Sequence, residues 1–186
     1  ESEHQIQYFQ KLFKLPREKF YLARIGVDDD MFFLKPGIEK FKEFTVLFRG
    51  RLLPEAGGEL AVKAAKILEN YPIQFLMLAN GMGLGGAQKL IEELKPKNFK
   101  LISDFLPDSE LLSTMHKCHM SLGQLSNHER LERTIPHKAY ESLALKLPYL
   151  TARNSGVMEL LKEGDTCLAF TPGDEKDLAD RILWAF

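Results

Sequence analysis

The sequence predicts an α/β domain with a doubly wound parallel sheet, Rossmann-like in its layering. Three observations predict it. Short β-rich runs recur from Phe44 onward, helical periodicities separate most of them, and the chain of 186 residues is 45% hydrophobic and 27% charged. Those proportions are ordinary for a globular domain and exclude a disordered tail, a collagen-like fibre and a disulfide-stapled mini-protein. Strands that alternate with helices form right-handed crossovers and cover both faces of a parallel sheet. Ligands in that architecture bind at the carboxyl ends of the strands.

Residues 1–43 differ from the rest. An amphipathic stretch at Ile6–Leu15 stops at Pro16, and a strand-like run, Phe20–Ile25, leads into Gly26 and an Asp-rich turn. Pro36-Gly37 and the charged run Glu39–Glu43 read as a linker. The strand runs follow at Thr45–Phe48, Ile73–Leu78, Phe99–Ser103, Met120–Leu122, Tyr149–Thr151 and Cys167–Phe170. Between them, Leu60, Ala64, Ile67 and Leu68 sit at i, i+4, i+7, i+8. Ala87, Leu90, Ile91 and Leu94 sit at i, i+3, i+4, i+7, and Tyr140, Leu143, Ala144 and Leu147 repeat that spacing.

The balance of 25 Lys+Arg against 26 Asp+Glu leaves a net charge of -1, with no bulk basic field for a nucleic-acid partner. Cys118 and Cys167 are distant from each other in apolar stretches. They read as small buried hydrophobes in a reducing compartment. No apolar run approaches the ~18–20 residues of a membrane span. The chain opens Glu1-Ser2-Glu3-His4 without a signal peptide and closes inside the helical pattern Leu178–Phe186. The expectation is a piece of a longer protein.

Two patterns mimic familiar sites. Gly81-Met82-Gly83-Leu84-Gly85-Gly86 matches the dinucleotide fingerprint, with Asp104 about 20 residues later where a ribose-binding acid belongs. Yet these glycines follow the second strand of the unit, and a tight β-to-α turn asks for glycine anyway. Asp28-Asp29-Asp30 resembles a divalent-cation clamp but reads better as a solvated turn. His116 and His119 lack nearby ligands, so no metal site is expected.

The strongest chemical signal is Arg133-Thr134-Ile135-Pro136-His137-Lys138-Ala139-Tyr140-Glu141. Pro136 suits a first helical position, which puts Lys138 in the first turn, where the helix dipole disfavours a cation. An anion held at that helix end would explain it. Glu141 lies one turn deeper on the same face, and its carboxylate suits the vicinal diol of a ribose. From spacing alone the two residues read equally as an i,i+3 surface pair worth about 0.2–0.5 kcal/mol. The second cluster is Phe48-Arg49-Gly50-Arg51-Leu52, where Gly50 permits close backbone approach. Arg51, at the strand's carboxyl end, offers a planar fork suited to a diphosphate. It reads equally as an exposed loop arginine.

These residues, in this order, resemble the C-terminal, donor-binding domain of GT-B glycosyltransferases, family 4 (group 1). Ile25–Phe32 looks like the hinge between the two domains, and Phe48–Glu55 like the first-strand Gly-Arg-Leu motif. The Gly81–Gly86 loop, Ser103–Leu106, Ile135–Ala144, Lys146–Thr151 and Ser155–Glu159 follow in the family's order. Two departures stand out: Ala56 where the family usually has a Lys, and Arg133 where its Glu-x7-Glu pattern needs a Glu, with Glu129 and Glu132 out of register.

The resemblance implies residues 1–43 as the tail of an acceptor domain and linker, and 44–186 as the nucleotide-sugar-binding domain. It implies a retaining, metal-independent hexosyltransferase, working in the cytoplasm or peripherally at a membrane, with no cofactor beyond a UDP-, GDP- or ADP-sugar donor. Arg51, Lys138 and Glu141 would be its catalytic residues. Gly50, Gly81, Gly83, Asp104, Phe105, Leu106, Ile135 and Pro136 would complete the donor site. Its partners would be a separate acceptor domain and a glycan or lipid-linked acceptor, and this piece alone would be inactive. Ala56 and Arg133 keep open a degenerate nucleotide-binding module, and the Gly81–Gly86 loop an NAD-dependent enzyme.

Overall fold

A computed structural model covers residues 1–186. Six strands form one parallel sheet: β1 (Phe44–Arg51), β2 (Ile73–Asn80), β3 (Phe99–Ile102), β4 (Met120–Leu122), β5 (Tyr149–Ala152) and β6 (Leu168–Phe170), in the order β3-β2-β1-β4-β5-β6. The central strands are apolar on both faces because helices cover both. Val46, Leu47 and Phe48 are all buried, as are Phe75, Leu76 and Met77.

The helices are α1 (Glu3–Phe13), α2 (Gly58–Ile67), α3 (Leu84–Leu94), α4 (Asp108–Lys117), α5 (His137–Ala144), α6 (Ser155–Met158) and α7 (Glu175–Ala185). One face of the sheet meets α2, α3 and α7 through Leu60, Ala64, Ala87, Leu178 and Ile182. The other face carries two smaller clusters. Leu47 and Leu78 pack with Met115 of α4 and with Leu145 and Leu147, while Ala139 of α5 packs with Tyr149 and Val157. Each fully buried large apolar side chain contributes about 1.5–3 kcal/mol relative to exposure.

The order reverses direction at β1, and the lengths of its neighbours differ there. β1 pairs with β2 from Phe44↔Ile73 through Arg51↔Asn80, whereas its pairing with β4 ends at Phe48↔Leu122. Arg49, Gly50 and Arg51 therefore run past the end of β4 with a partner on one side only. This switch point is where a doubly wound sheet opens a crevice.

The amino-terminal segment departs from expectation. Phe20–Ile25 forms no strand; the run pairs with no sheet edge, and Tyr21 is 94% exposed. Alternation without a face to bury does not make a strand. The linker run is fastened: Lys40 donates to the Cys118 carbonyl at 2.7 Å, and the Phe41 N–H to that of Lys117 at 2.9 Å. Helix α1 starts earlier than its periodicity suggests because Ser2 caps it, accepting from the Gln5 N–H at 2.9 Å. Glu159, just past α6, accepts from the Glu3 and His4 N–H groups at 2.8 Å each. Burial alone would raise the Glu159 carboxyl, but those two N–H donors and the nearby His4 and Arg24 hold it below its usual range.

Gly156 shows how closely α6 sits on the preceding loop. A Cβ there would lie 2.5 Å from the Thr134 nitrogen and 2.7 Å from its oxygen, whereas one at Gly86 would meet nothing within 4 Å. Gly156→Ala is expected to cost about 1–3 kcal/mol through overpacking against backbone. Gly86→Ala, in the first turn of α3, is expected to be neutral or to add up to about 1 kcal/mol. Urea unfolding of the two variants checks the contrast, and equal destabilisation would contradict this packing.

Candidate functional site

The site grows from the overhang of β1. Side chains alternate along a strand, so Arg49 follows Leu47 onto the sheet face that carries α4 and α5. There its Nη2 meets Oε2 of Glu141 on α5, with only 14% and 16% of the two side chains exposed. Losing one member of such a pair leaves an uncompensated charge and costs about 3–5 kcal/mol. Burial pulls the Arg49 guanidinium down to about 10, against a smaller opposing contribution from Tyr149.

Lys138 enters from the first turn of α5. Its Nζ lies 4.6 Å from the centre of the Phe48 ring and donates to the Gly123 carbonyl at 3.3 Å. Gly50, at φ 126°, stands beside it, and a Cβ there would lie 3.8 Å from Nζ. That conformation belongs to glycine. Desolvation, and then the neighbouring Arg49 charge, bring the Lys138 ammonium down to about 7. No side chain caps α5, and the Ala139 N–H donates to the Pro136 carbonyl at 3.0 Å.

Lys138 and Glu141 are therefore not an i,i+3 surface pair: Glu141 is committed to Arg49 and Lys138 to a carbonyl and a ring. Pro136 sits at the N-cap, one residue before the helix, rather than at its first position. Ile135 is buried at 1% exposure and anchors that helix end. Arg51 is exposed at the end of β1. It lines a cleft of about 310 Å³ with Arg49, Gly50, Asn80, Asp104, Phe105 and Leu106. Phe105 is 85% exposed at the rim.

Gly81 and Gly83 follow the cleft-lining Asn80, and a Cβ at Gly81 would lie 3.7 Å from that of Arg51. Both pack on the backbone of Leu52: the Gly83 N–H donates to its carbonyl at 2.9 Å, and Cβ atoms at Gly81 and Gly83 would come within 3.3 and 3.0 Å of that residue. In the dinucleotide fingerprint the second glycine clears space for pyrophosphate and the third lets helix pack on strand. Here Leu52 fills the first space, and Gly86 faces open space. The glycines serve a loop-on-loop contact.

Elsewhere, Asp28 accepts from the Asp30 N–H at 3.1 Å in an exposed turn. His119 accepts from the Thr45 N–H at 3.0 Å and stacks on Phe44. Both cysteines are buried and unpaired, and desolvation raises their thiols to about 12 and about 11. Ala56 is buried in the main core. Arg133 turns away from the cleft, its guanidinium 4.0 Å over the Tyr8 ring, and Glu132 accepts from the Ser155 N–H at 3.1 Å. Sequence reasoning passed over Arg49. Its signal was a charge continuing the buried run Val46-Leu47-Phe48, where a solvated position is not expected.

The family model described as glycosyl transferases group 1 matches residues 32–186. The chain belongs to that family. It is 25% identical over 171 residues to the amylovoran biosynthesis glycosyltransferase AmsK of Erwinia amylovora, covering 90% of this chain and 42% of that one. Anabaena HepE, solved with UDP and glucose, superposes with a TM-score of 0.81 at 19% identity, over 97% of this chain and 51% of HepE. The C-terminal domain of LpcC from Francisella tularensis, a glycosyl transferase group 1 protein, gives 0.70 at 15% identity over 86% and 87%. The fold is that of GT-B C-terminal domains, and the chain spans about half the length of AmsK and HepE.

Lys138 gives this chain a pH signature. Between about 7 and the ordinary lysine value of 10.5, the unfolded chain holds a proton that native Lys138 does not. Its contribution to stability should therefore rise with pH across that window and be least below pH 7. In Lys138→Met that slope disappears, so the stability difference should move in the wild type's favour from about pH 6.5 to about pH 9.5. Urea titrations at several pH values check it, and a pH-independent difference would refute the assignment.

Proposed function

We propose that this chain is the donor-binding half of a retaining glycosyltransferase that moves a hexose from a nucleoside-diphosphate sugar without a metal ion. The observation that carries this reading is that Arg49, which lines the switch-point cleft with Arg51, also pairs with Glu141 of α5, while Lys138 of the same helix lies beside Gly50. In this reading Arg51 and Lys138 hold the diphosphate, and their charge stabilises the leaving group as its negative charge develops. A charge-assisted hydrogen bond of this kind contributes about 1.5–3 kcal/mol. Backbone groups at Ile135–Pro136, and the uncapped turn beyond, add dipolar support for the phosphates.

Glu141 takes the ribose, and the Asp104–Phe105–Leu106 turn takes the base. Gly50 lets the diphosphate approach the strand, while Gly81 and Gly83 shape the wall behind Leu52. An acceptor domain, with residues 1–43 as its tail and linker, and a glycan or lipid-linked acceptor complete the reaction; this half alone binds but does not turn over. The setting is the cytoplasm or its membrane face. No helix here is long and apolar enough to cross a membrane.

A second reading, nucleotide binding without transfer, is favoured by one observation: Ala56 is part of the core, so no lysine joins Arg51 from that position.

Calorimetry with UDP, GDP, ADP and NAD, first without and then with magnesium, tests the proposal. One nucleoside diphosphate is expected to bind without metal. Arg51→Ala, and Glu141→Gln once circular dichroism shows that it is folded, should each weaken it by about tenfold or more, equivalent to 1.4 kcal/mol. Binding of NAD alone, or a strict need for magnesium, would overturn it. Turnover of the same donor by the full-length protein separates the two readings.

A further inference from the structure

Arg49 carries a charge that packing alone does not explain. Its side chain continues the buried run Val46-Leu47-Phe48 and is only 14% exposed. Nε and Nη2 are sealed from solvent, and neither has a hydrogen-bond partner. Glu141 balances the charge but leaves those donors unmet, which an interior tolerates only at a cost. An apolar side chain of similar length would pack there without it. Of the guanidinium nitrogens only Nη1 is not sealed, and the side chain lines the cleft beside Gly50 and Arg51. Arg49 also lies close enough to Lys138 to repel its ammonium. It thus belongs to both parts of the site, the Arg51 cleft and the Lys138 corner. Ala56 is in the core and brings no cation to either. The acids of the cleft, Asp104 and Asp108, are exposed and screened by water, so they offset the excess of positive charge only weakly. A phosphate group would offset it directly, and a planar guanidinium suits phosphate oxygens.

We propose that Arg49 is a further donor-binding residue: through Nη1 it takes a phosphate oxygen of the nucleoside diphosphate, alongside Arg51 and Lys138. This rests on the donor-site reading above. The buried part of the guanidinium fixes its orientation before the ligand arrives, so little side-chain freedom is lost on binding. Its contribution is to the phosphates and not to the nucleoside.

The test compares the nucleoside diphosphate that binds, taken from UDP, GDP and ADP, with its parent nucleoside. Calorimetry follows the diphosphate, and ligand-observed NMR the nucleoside. In Arg49→Gln the diphosphate is expected to bind about tenfold or more weakly than on the wild type, with the nucleoside within about twofold. The salt dependence of diphosphate binding should fall with it, because one cation fewer is screened. Arg49→Lys keeps a charge and should recover that salt dependence and most of the affinity, which a purely structural role for Arg49 would not predict. Equal loss of nucleoside and diphosphate, or no loss of either, overturns the proposal while leaving the donor site standing. If the wild type binds no nucleoside diphosphate, or Arg51→Ala leaves binding unchanged, the donor-site reading itself falls and takes the proposal with it. Should Arg49→Gln fail to fold, the arginine Nε–H signals of the wild type decide. The signal absent from Arg49→Lys should shift with the diphosphate and not with the nucleoside; one that stays still, or moves equally with both, overturns the proposal.

Discussion

The structure depends on one mismatch of length: β1 continues beyond the last residue of β4. Parallel strands that ended together would close the sheet and leave its carboxyl edge to loops. Because β4 stops at Leu122 opposite Phe48, the next three residues of β1 border a crevice on one side and β2 on the other. The residues placed there are two arginines about a glycine, and Lys138 comes in from α5. Arg49 and Lys138 thus share a corner with the one carboxylate of Glu141, while Arg51, Asp104 and Asp108 line the adjoining cleft. The corner is partly desolvated, so like charges repel more strongly than in water. Desolvation first, and then repulsion by Arg49, bring the ammonium of Lys138 down to about 7. A bound polyanion would reverse that shift, and this coupling connects burial in the fold to affinity in the site.

The loops that frame the crevice are made stiff by backbone contacts. After β1 the chain turns through Leu52, whose N–H donates to the Asn80 carbonyl at 2.6 Å and whose own carbonyl takes the Gly83 N–H. The turns following β1 and β2 therefore move as one piece. Glycines at 81 and 83 are the means, since any side chain would push the two turns apart. A glycine-rich sequence that looks like a phosphate cradle is better understood as the seam between two cradle walls.

How much of this was legible follows from what each signal measures. Strand runs such as Ile73–Leu78 and Met120–Leu122 were legible because burial on both faces leaves a mostly apolar run, interrupted here only by Gln74 and Ser121. Phe20–Ile25 misled because composition reports fitness for a sheet, not the presence of a sheet edge. The convergence of β1 with α5 followed from topology, yet partner choice inside it did not. Glu141 is three residues from Lys138 in sequence and pairs instead with Arg49, ninety-odd residues earlier. Local spacing counts neighbours along one helix; it cannot count a guanidinium delivered by a strand. The misplaced charge at Arg49 was visible, but its meaning required knowing which face it entered.

Arg133 marks the other end of the same logic. At a position where the family pattern would put a carboxylate, its guanidinium lies over Tyr8, and its carbonyl accepts the Ser2 hydroxyl at 2.6 Å. Glu132 ties the same turn to Ser155, and Gly156 lets α6 press directly on Thr134. The residues just before α5 are thereby held from two sides, by α1 and by α6, with Glu159 closing the loop back onto the start of α1. A lysine that must stay buried beside an arginine needs such a frame, because a looser helix end would swing it into water. Arg133 therefore contributes rigidity behind the cleft. That rigidity keeps the first turn of α5, and with it Lys138 and Glu141, aimed at the end of β1.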